Sequence, residues 1–387
     1  MKAGNFKNYL AASAILGGTI LGVGIFGLPH VFSKAGFLTG LFYLVLCCFL
    51  VTLTHLIYGE ALLRTGGEHR MPGLAKIYLG KAGFYLATIS LFISMSGVLL
   101  AYLILGGQFL QNFSRIINSP LNLNVAAVIF WIVGTIGMVL GIRFIGLGEI
   151  LGVVLIIGLI VGFFILGAPH LNIASLPAIN SSFLFLPYGV LLFALSGGSA
   201  VPEIFNYFKK RGISKYELNF KKPIVWGSIV PAFLYLLFVL GVLGFFQNKI
   251  IPVDIVPDLV KSNPLLGVAT DVLGMLLILT SYFIIGLGFR NVLFMDLKIK
   301  NWLSWTIPAV LPALLYFGGF QNFIGIIGFL GAGILGIETV LTIIIHSKSQ
   351  KQGRLIPAFT VKIPLWGKVL LVILLLTGVA LEIAKFF

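Results

Sequence analysis

The sequence has 387 residues, of which 59% are hydrophobic and only 10% are charged, and its mean hydropathy is +1.10. A soluble globular protein of this length needs more polar residues to cover its surface, so the composition excludes that class and indicates an integral membrane protein. The formal net charge of +15 does not indicate nucleic acid as a partner, because the basic residues are spread over alternate loops.

Eleven apolar stretches approach or exceed the roughly 20 residues that a transmembrane helix needs. Short polar or charged segments separate them. The predicted stretches are 9–32, 37–63, 83–110, 125–142, 147–166, 183–207, 224–246, 265–294, 302–317, 323–345 and 365–383. The first stretch lacks a small-residue cleavage site and runs directly into the rest of the bundle, so we expect it to remain as the first helix.

Lysine and arginine residues are concentrated in alternate loops, which all lie on the same side of the membrane. With a cytoplasmic N-terminus, 21 of the 26 Lys and Arg residues fall in cytoplasmic segments. The remaining basic residues are Lys34, Arg115, Lys249, Lys261 and Lys385. This is the bias that the positive-inside rule predicts. We therefore expect a multi-pass protein of the plasma (inner) membrane, surrounded by lipid bilayer, with a cytoplasmic N-terminus and an external C-terminus.

Two of the stretches contain a run of small residues that ends in proline, namely Gly17–Pro29 and Ser196–Pro202. Glycine weakens a helix and proline removes an N–H donor, so both runs are expected to unwind a membrane helix near its middle. Unwound backbone is tolerated in a bilayer only where it is buried or lines a cavity, and its free polar groups can hold a charged solute. The paired breaks predict a transporter with a midplane binding site. Close packing of small residues is the alternative.

The two breaks divide the chain into comparable halves. The whole sequence, 1–387, is expected to form a single transmembrane transporter domain with five-helix units at 9–166 and 183–345 and an extra helix 11 at 365–383. Five crossings is an odd number, so the second unit enters the membrane from the opposite side and the repeat is inverted. The predicted fold class is an all-α integral membrane protein with about 11 transmembrane helices and discontinuous helices 1 and 6.

Ionisable side chains inside the apolar stretches are costly, which makes them functional candidates. Glu203 follows Pro202 at the expected start of the second half of helix 6, where the positive helix end favours an anion. Its candidate roles are to bind a proton, to contact a substrate amine or to cap the broken helix. Glu338 and His55 are weaker candidates, because a lone intramembrane glutamate or histidine more often makes a structural hydrogen bond.

Helix 8 carries two adjacent hydroxyl groups, on Thr280 and Ser281, within an apolar segment. Such hydroxyls usually bond back to their own helix. Together with carbonyl groups of the broken helix 1, they would alternatively form an all-oxygen cavity for a hard cation. The sequence contains no HExxH, Walker A or GxSxG motif, so we do not expect an enzyme or a cofactor beyond a coupling ion.

At these residues the chain resembles the amino acid/polyamine/organocation superfamily with its LeuT-type fold, and within it the amino acid/auxin and the hydroxy/aromatic amino acid permeases. The likeness spans most of the chain. It rests on Gly18–Ile25 with Leu28 and Pro29, Leu100–Leu103 with Gly106 and Gly107, Phe193–Ser196 with Val201, Pro202 and Tyr207, and Thr280–Tyr282 with Leu287 and Gly288.

The resemblance implies a secondary active transporter that takes up neutral amino acids, with aromatic ones as an option, by alternating access and coupling to Na+ or H+. The implied substrate-binding residues are Val23, Gly24, Ile25, Tyr102, Phe193, Ala194, Ser196, Ser199, Ser281 and Ile285. Amides at 23–25 would receive the substrate carboxylate, and carbonyls near 194 and 196 its amine. The implied Na+ site comprises the Gly18 and Leu21 carbonyls with the Thr280 and Ser281 hydroxyls, and Glu203 is the other ion-coupling candidate.

The sequence leaves the coupling ion open. Helix 5 lacks the lysine that some proton-coupled members of the superfamily use, whereas aromatic permeases of this type are often proton-driven. The alternative function is a non-transporting amino acid sensor with the same fold and binding site. The basic loops of this chain are short and carry no added domain that would signal, which favours the transporter.

Overall fold

The computed structural model describes residues 3–66, 69–140, 145–172, 177–212, 220–247 and 250–384, and these residues form an all-α protein. In chain order the helices are α1 (Ala3–Ile20), α2 (Leu28–Ala35), α3 (Phe37–Thr65), α4 (Met71–Ile116), α5 (Leu123–Leu140), α6 (Ile145–Gly167), α7 (Leu186–Leu195), α8 (Val201–Lys210), α9 (Lys221–Phe245), α10 (Val256–Ser262), α11 (Pro264–Asn291), α12 (Asn301–Phe317), α13 (Phe323–Gly328), α14 (Gly336–Gln352) and α15 (Leu365–Ala384).

Every predicted stretch corresponds to one helix or to one interrupted helix. Among the described residues, nine helices are long and apolar enough to cross a membrane, or ten if the bent pair α1 and α2 forms one span. The expected number was eleven, and the difference lies at α12. That helix has only 17 residues, which is fewer than the roughly 20 that a spanning helix needs. The end of the fourth predicted stretch, residues 141–142, lies outside the described residues.

Both expected breaks are present. Between α1 and α2 the backbone leaves the helix at Leu21 and Gly22, continues as a 3-10 turn over Val23–Gly27, and bends by 50°. Between α7 and α8 the chain is extended at Ser196 and passes through a 3-10 turn over Gly198–Ala200. Proline follows each 3-10 turn within the first turn of the next helix, where its missing N–H is not needed.

Helix α4 begins earlier than the sequence indicated. Its first residue is Met71 rather than a residue near 83, and Gly80 within it has a φ of 74°, a conformation that favours glycine. This bend separates 71–79 from the spanning part of the helix. The basic segment before residue 83 is therefore helical without belonging to the straight membrane span.

The two breaks lie side by side in the middle of the bundle, because α7 packs against the 3-10 turn Val23–Gly27. Helix α1 packs mainly on α9, and α4 packs on α11 and α5. A π-helical segment, Phe329–Leu335, joins α13 to α14 and packs against α7. The last helix, α15, lies against that segment and α14.

The bundle has two distinct ends. At one end the link between α9 and α11, which the structure describes over residues 246–247 and 250–263, contacts α2 through Ile251: the His30 Nδ1 donates to the Ile251 carbonyl at 2.8 Å, and the Ile251 N–H donates to the Ser33 hydroxyl at 3.0 Å. We call this end the link face. The opposite end carries Arg64 and Arg211 at the ends of α3 and α8, and we call it the basic face.

Candidate functional site

The break in helix 1 provides backbone donors at the centre of the bundle. The first amides of a helix have no acceptor within that helix. Val23 and Gly24 hold this position in the 3-10 turn, while the Ile25 N–H donates to the Gly22 carbonyl at 3.3 Å. Val23, Gly24 and Ile25 are all buried. The expected carboxylate-binding amides are therefore positioned together at the break.

The two broken helices are in close contact at two glycine residues, Gly24 and Gly197. A Cβ atom on Gly24 would lie 2.6 Å from the Cα atom of Ala194 in α7. A Cβ atom on Gly197 would lie 2.7 Å from side-chain carbons of Leu16 and Ile20 in α1. Both distances are below those of real Cβ contacts. A larger residue at position 24 would meet backbone and force the two helices apart, whereas one at position 197 would first require the Leu16 and Ile20 side chains to shift.

Tyr235 of α9 joins the two broken helices through backbone oxygens. Its hydroxyl group lies in hydrogen-bonding distance of the Ile20 carbonyl and 3.2 Å from the Ala194 carbonyl. Both carbonyls are at C-terminal helix ends, where no amide of the same helix reaches them. Ala194 was expected to receive the substrate amine, and in this structure its carbonyl is shared with Tyr235. The sequence analysis missed this tyrosine, although a polar group in the apolar stretch 224–246 was the available signal.

His55 of α3 holds the second break. The Gly197 N–H donates to its Nε2 at 3.3 Å, and its Nδ1 lies 3.0 Å from the Ser228 hydroxyl of α9. Because Nε2 accepts a hydrogen bond, the proton belongs on Nδ1 and the ring is neutral. Ser228 in turn donates to the Ile224 carbonyl at 2.9 Å. The expected structural role of His55 is thus the one that the geometry supports.

Side chains of α4 and α11 meet beside the first break. The Tyr102 hydroxyl lies near Ser281 and faces Gly22, on which an added Cβ would lie 3.9 Å from the Tyr102 oxygen. Tyr102 is buried, and Ile285 lies half-buried one turn after Ser281. The structure therefore brings these predicted site residues together. Phe193 and Ser196 are half-buried at the end of α7.

The site is covered towards the link face by two aromatic rings. The Phe26 and Phe109 rings meet edge to face at 5.1 Å between centroids. Gly274 of α11 lies beneath them, because a Cβ on it would stand 2.6 Å from the Phe109 ring and 3.2 Å from the Phe26 ring. All three residues are buried. The link side of the site is closed in this conformation.

On the opposite side of the breaks, two polar residues are exposed. Ser199 lies in the 3-10 turn of the second break and Glu203 in the first turn of α8, and both are exposed. A carboxylate facing lipid is strongly unfavourable, so we infer that this surface lines a water-filled vestibule towards the basic face. Glu203 accepts a hydrogen bond from Asn206 at 3.3 Å and does not cap α8 through its side chain. Of its three expected roles, the cap is not the one this geometry supports.

The expected cation site is only partly arranged. The Thr280 hydroxyl donates to the Leu276 and Leu277 carbonyls of its own helix at 3.1 and 3.0 Å. Because the Thr280 hydroxyl acts as a donor in these contacts, the lone pairs of its oxygen atom are still available to bind a cation. Gly18, however, faces α6, where an added Cβ would lie 3.6 Å from Val153. Among the described residues there is no cluster of three or more His, Cys, Asp or Glu suited to a metal.

A buried ionic network ties helices together near the basic face. The Glu60 carboxylate accepts from Arg64 Nε at 2.7 Å, from His346 Nε2 at 2.9 Å and from the Val361 N–H at 2.6 Å. Glu338 accepts from the Ser90 hydroxyl at 3.0 Å. Glu60 thus connects α3 to α14, and Glu338 connects α14 to α4.

Comparisons with known proteins identify a family and two relatives. A family model described as the tryptophan/tyrosine permease family matches residues 6–385. The chain is 21% identical to glutamine transporter 2 of Aliivibrio fischeri over 391 residues, which cover 98% of this chain and 100% of the relative. It is 25% identical to the low affinity tryptophan permease of Proteus vulgaris over 241 residues, which cover 59% of this chain and 56% of the permease.

A solved structure has the same fold. The crystal structure of MhsT in complex with L-phenylalanine superposes with a TM-score of 0.65 over 98% of both chains, at 15% sequence identity. This similarity confirms the expected LeuT-type fold. The family match and the long apolar helices support a multi-pass membrane protein. The named relatives are transporters and permeases rather than enzymes.

Proposed function

The chain belongs to the tryptophan/tyrosine permease family, and on that premise we propose that it is a secondary active transporter that couples the uptake of a neutral amino acid to a cation gradient. The observation that carries the proposal is the contact of the two helix breaks at Gly24 and Ala194. At that contact the free amides of one helix start lie beside the carbonyl groups of two helix ends. An amino acid zwitterion carries the complementary charges.

The lining favours a neutral side chain. The residues proposed to contact the substrate beyond its zwitterion are apolar, aromatic or hydroxylic, namely Tyr102, Phe193, Ser196, Ser199, Ser281 and Ile285. Val23, Gly24 and Ile25 would bind the carboxylate through their backbone. The names of the relatives specify glutamine and tryptophan, and MhsT holds phenylalanine. We propose a neutral amino acid, with aromatic ones among the substrates.

The two sides of the site support alternating access. The Phe26 and Phe109 rings cover the link side, while Ser199 and Glu203 are exposed towards the basic face. In the proposed cycle, α1, α2, α3 and α7 to α9 rock against α4, α5, α11 and α12 around the breaks. With the N-terminus in the cytoplasm of the plasma (inner) membrane, the conformation described is open to the cytoplasm. Cation and substrate would strengthen each other's binding by the same factor.

Uptake into liposomes tests the proposal. The purified protein is reconstituted, and uptake of radiolabelled tryptophan, tyrosine, glutamine, leucine and alanine is measured under a sodium gradient and, separately, under a proton gradient. Protein-free liposomes and the Gly24→Leu variant serve as controls. Gradient-driven accumulation that both controls lack supports the transporter and identifies the coupling ion. Saturable binding without flux under either gradient would favour the sensor instead.

A further inference from the structure

We propose that Asp271 binds a proton when the link face closes, so that protonation of this one carboxyl group controls access to the site from that side. The inference rests on the proposed transport function, because it concerns one gate of that cycle. Asp271 belongs to α11, and it takes no part in the substrate or cation sites described above.

The position of Asp271 follows from its neighbours on the same helical face. Gly267, Asp271 and Gly274 are spaced four and three residues apart, so they share one side of α11. A Cβ on Gly267 would lie 2.5 Å from the Val260 backbone nitrogen in α10, and Gly274 lies against the Phe109 and Phe26 rings. This side of α11 therefore faces the link at one end and the aromatic cover of the site at the other, with Asp271 between them.

The environment of Asp271 does not accommodate a charge. The residue is 0% exposed, and neither carboxylate oxygen has a hydrogen-bond partner among the described residues. An unpaired, desolvated carboxylate is strongly unfavourable, whereas the neutral acid is tolerated. In the closed arrangement Asp271 is therefore a carboxylic acid. When the link and the rings move away, water reaches the group and it can ionise.

The surrounding charges reinforce this preference. Asp254 in the link is the charged neighbour that acts on Asp271, and its negative charge opposes a second one. Asp254 is held in place by Asn112 of α4, whose Nδ2 donates to it at 2.9 Å, and by the Val256 N–H at 3.1 Å. The other titratable groups on the helices packed against α11 include Asp258 and Lys261 of α10, Arg115 and Tyr102 of α4, and Tyr316 of α12.

The gate then works as a proton equilibrium. On opening, the Asp271 carboxyl group gives its proton to water on the link face and becomes a carboxylate. On closing, it takes a proton back from the same side. Acid pH should consequently favour the link-closed conformation, which is the conformation described here, and alkaline pH the link-open one.

Distances between two spin labels measure this equilibrium. Cys47 and Cys48 are replaced by serine, and labels are attached to Ser262→Cys in α10 and Ser119→Cys after α4, both of which are exposed on the link face. The closed, short-distance population of the otherwise unchanged protein is expected to fall as pH rises. Asp271→Asn should stay closed at every pH, because an amide cannot ionise. Asp258→Asn, which removes an exposed carboxylate of the same face, should respond to pH as the parent does.

Two outcomes would overturn the inference. In the first, Asp271→Asn responds to pH as strongly as the labelled parent protein does. In the second, the closed population of the labelled parent protein does not change with pH. If Asp271→Asn does not fold, Asp271→Ser, which is smaller and also cannot ionise, is measured in its place. Amino acid uptake is recorded on the same preparations. A parent that neither binds nor transports amino acids refutes the proposed function, whereas the label distances still decide the role of Asp271.

Discussion

Gly24 and Ala194 are in direct backbone contact, since a Cβ added to Gly24 would stand 2.6 Å from the Ala194 Cα. The two broken helices can adopt this arrangement only with glycine at that position. Gly24→Ala should destabilise the arrangement in which the two helices touch by about 1–3 kcal/mol of free energy, the usual cost of overpacking. Gly24→Leu should abolish uptake while the protein still inserts into the membrane. Uptake by reconstituted protein, normalised to the amount inserted, measures both variants.

Gly198 provides the matched control for Gly24. It lies in the second break as well, but a Cβ on it would meet nothing within 4 Å. Gly198→Ala should therefore retain near-normal uptake. Equal losses in Gly198→Ala and Gly24→Ala would mean that any change at a break is damaging and that the contact with Ala194 is not the cause. Normal uptake by Gly24→Leu would refute the site itself.

The Gly24 contact also shows how much of the site could be predicted from the sequence. Local chemistry predicted both breaks, because glycine and proline act on their own stretch of backbone. It could not predict which residues face the breaks from elsewhere in the chain. His55 and Ser228 are 173 positions apart, and Glu60 and His346 are 286 apart, so only the folded bundle brings them together. Asp271 is a different case: the rule that selected Glu203 applies to it equally, and the sequence analysis passed over it.

Tyr235 should contribute to the alignment of the two breaks. Tyr235→Phe removes the hydroxyl group that lies between the Ile20 and Ala194 carbonyls and keeps the ring. The loss of a typical hydrogen bond costs about 0.5–1.5 kcal/mol. We expect substrate affinity to fall by roughly twofold to twelvefold, because 1.4 kcal/mol corresponds to tenfold. Binding of a labelled substrate to the purified protein measures the change.

Tyr188→Phe separates this effect from the general cost of removing a buried hydroxyl. Tyr188 is also buried in the bundle, but its hydroxyl group has no hydrogen-bond partner among the described residues. Its removal should leave affinity unchanged. If both variants lose affinity equally, the carbonyl contacts of Tyr235 do not position the site.

His55 and Ser228 should act as a coupled pair. His55→Ala leaves the Gly197 amide and the Ser228 hydroxyl without one of their partners, which costs about 1–3 kcal/mol per unsatisfied buried group. Ser228→Ala alone removes one partner of the ring. Because the two side chains are in contact, the double variant should lose less stability than the sum of the single variants. Thermal unfolding in detergent measures the cycle, and strict additivity would contradict the coupling.

The proposed sodium site gives a prediction specific to one ion. Thr280→Ala combined with Ser281→Ala removes both hydroxyl oxygens while leaving the backbone of α11 intact. If sodium binds between this pair and the Gly18 and Leu21 carbonyls, the double variant should lose the stimulation of uptake by sodium more than it loses surface expression. The same protein assayed under a proton gradient is the control. A sodium response equal to that of the wild type would remove the site.

Asp254 should make the stability of the link face depend on pH. Burial raises the pKa of its carboxyl group above the ordinary value of 3.8, although Asn112, the Val256 amide and Arg115 oppose the shift. In the window that begins near 3.8 and ends at the raised pKa, the folded protein binds more protons than the unfolded chain. The contribution of this group is therefore full below the window and is lost as pH rises through it. Above the window it no longer changes.

Asp254→Asn isolates this contribution from those of the other acids. The asparagine side chain can still accept from the Val256 amide, and the Asn112 amide can turn to present its oxygen. We expect the melting temperature of the wild type, relative to that of Asp254→Asn, to rise as pH falls through the window and to stay constant above it. If the melting temperatures of the two proteins run parallel over the whole pH range, Asp254 binds its proton equally well in the folded and unfolded chains. Its negative charge would then act on Asp271 at every pH above about 3.8.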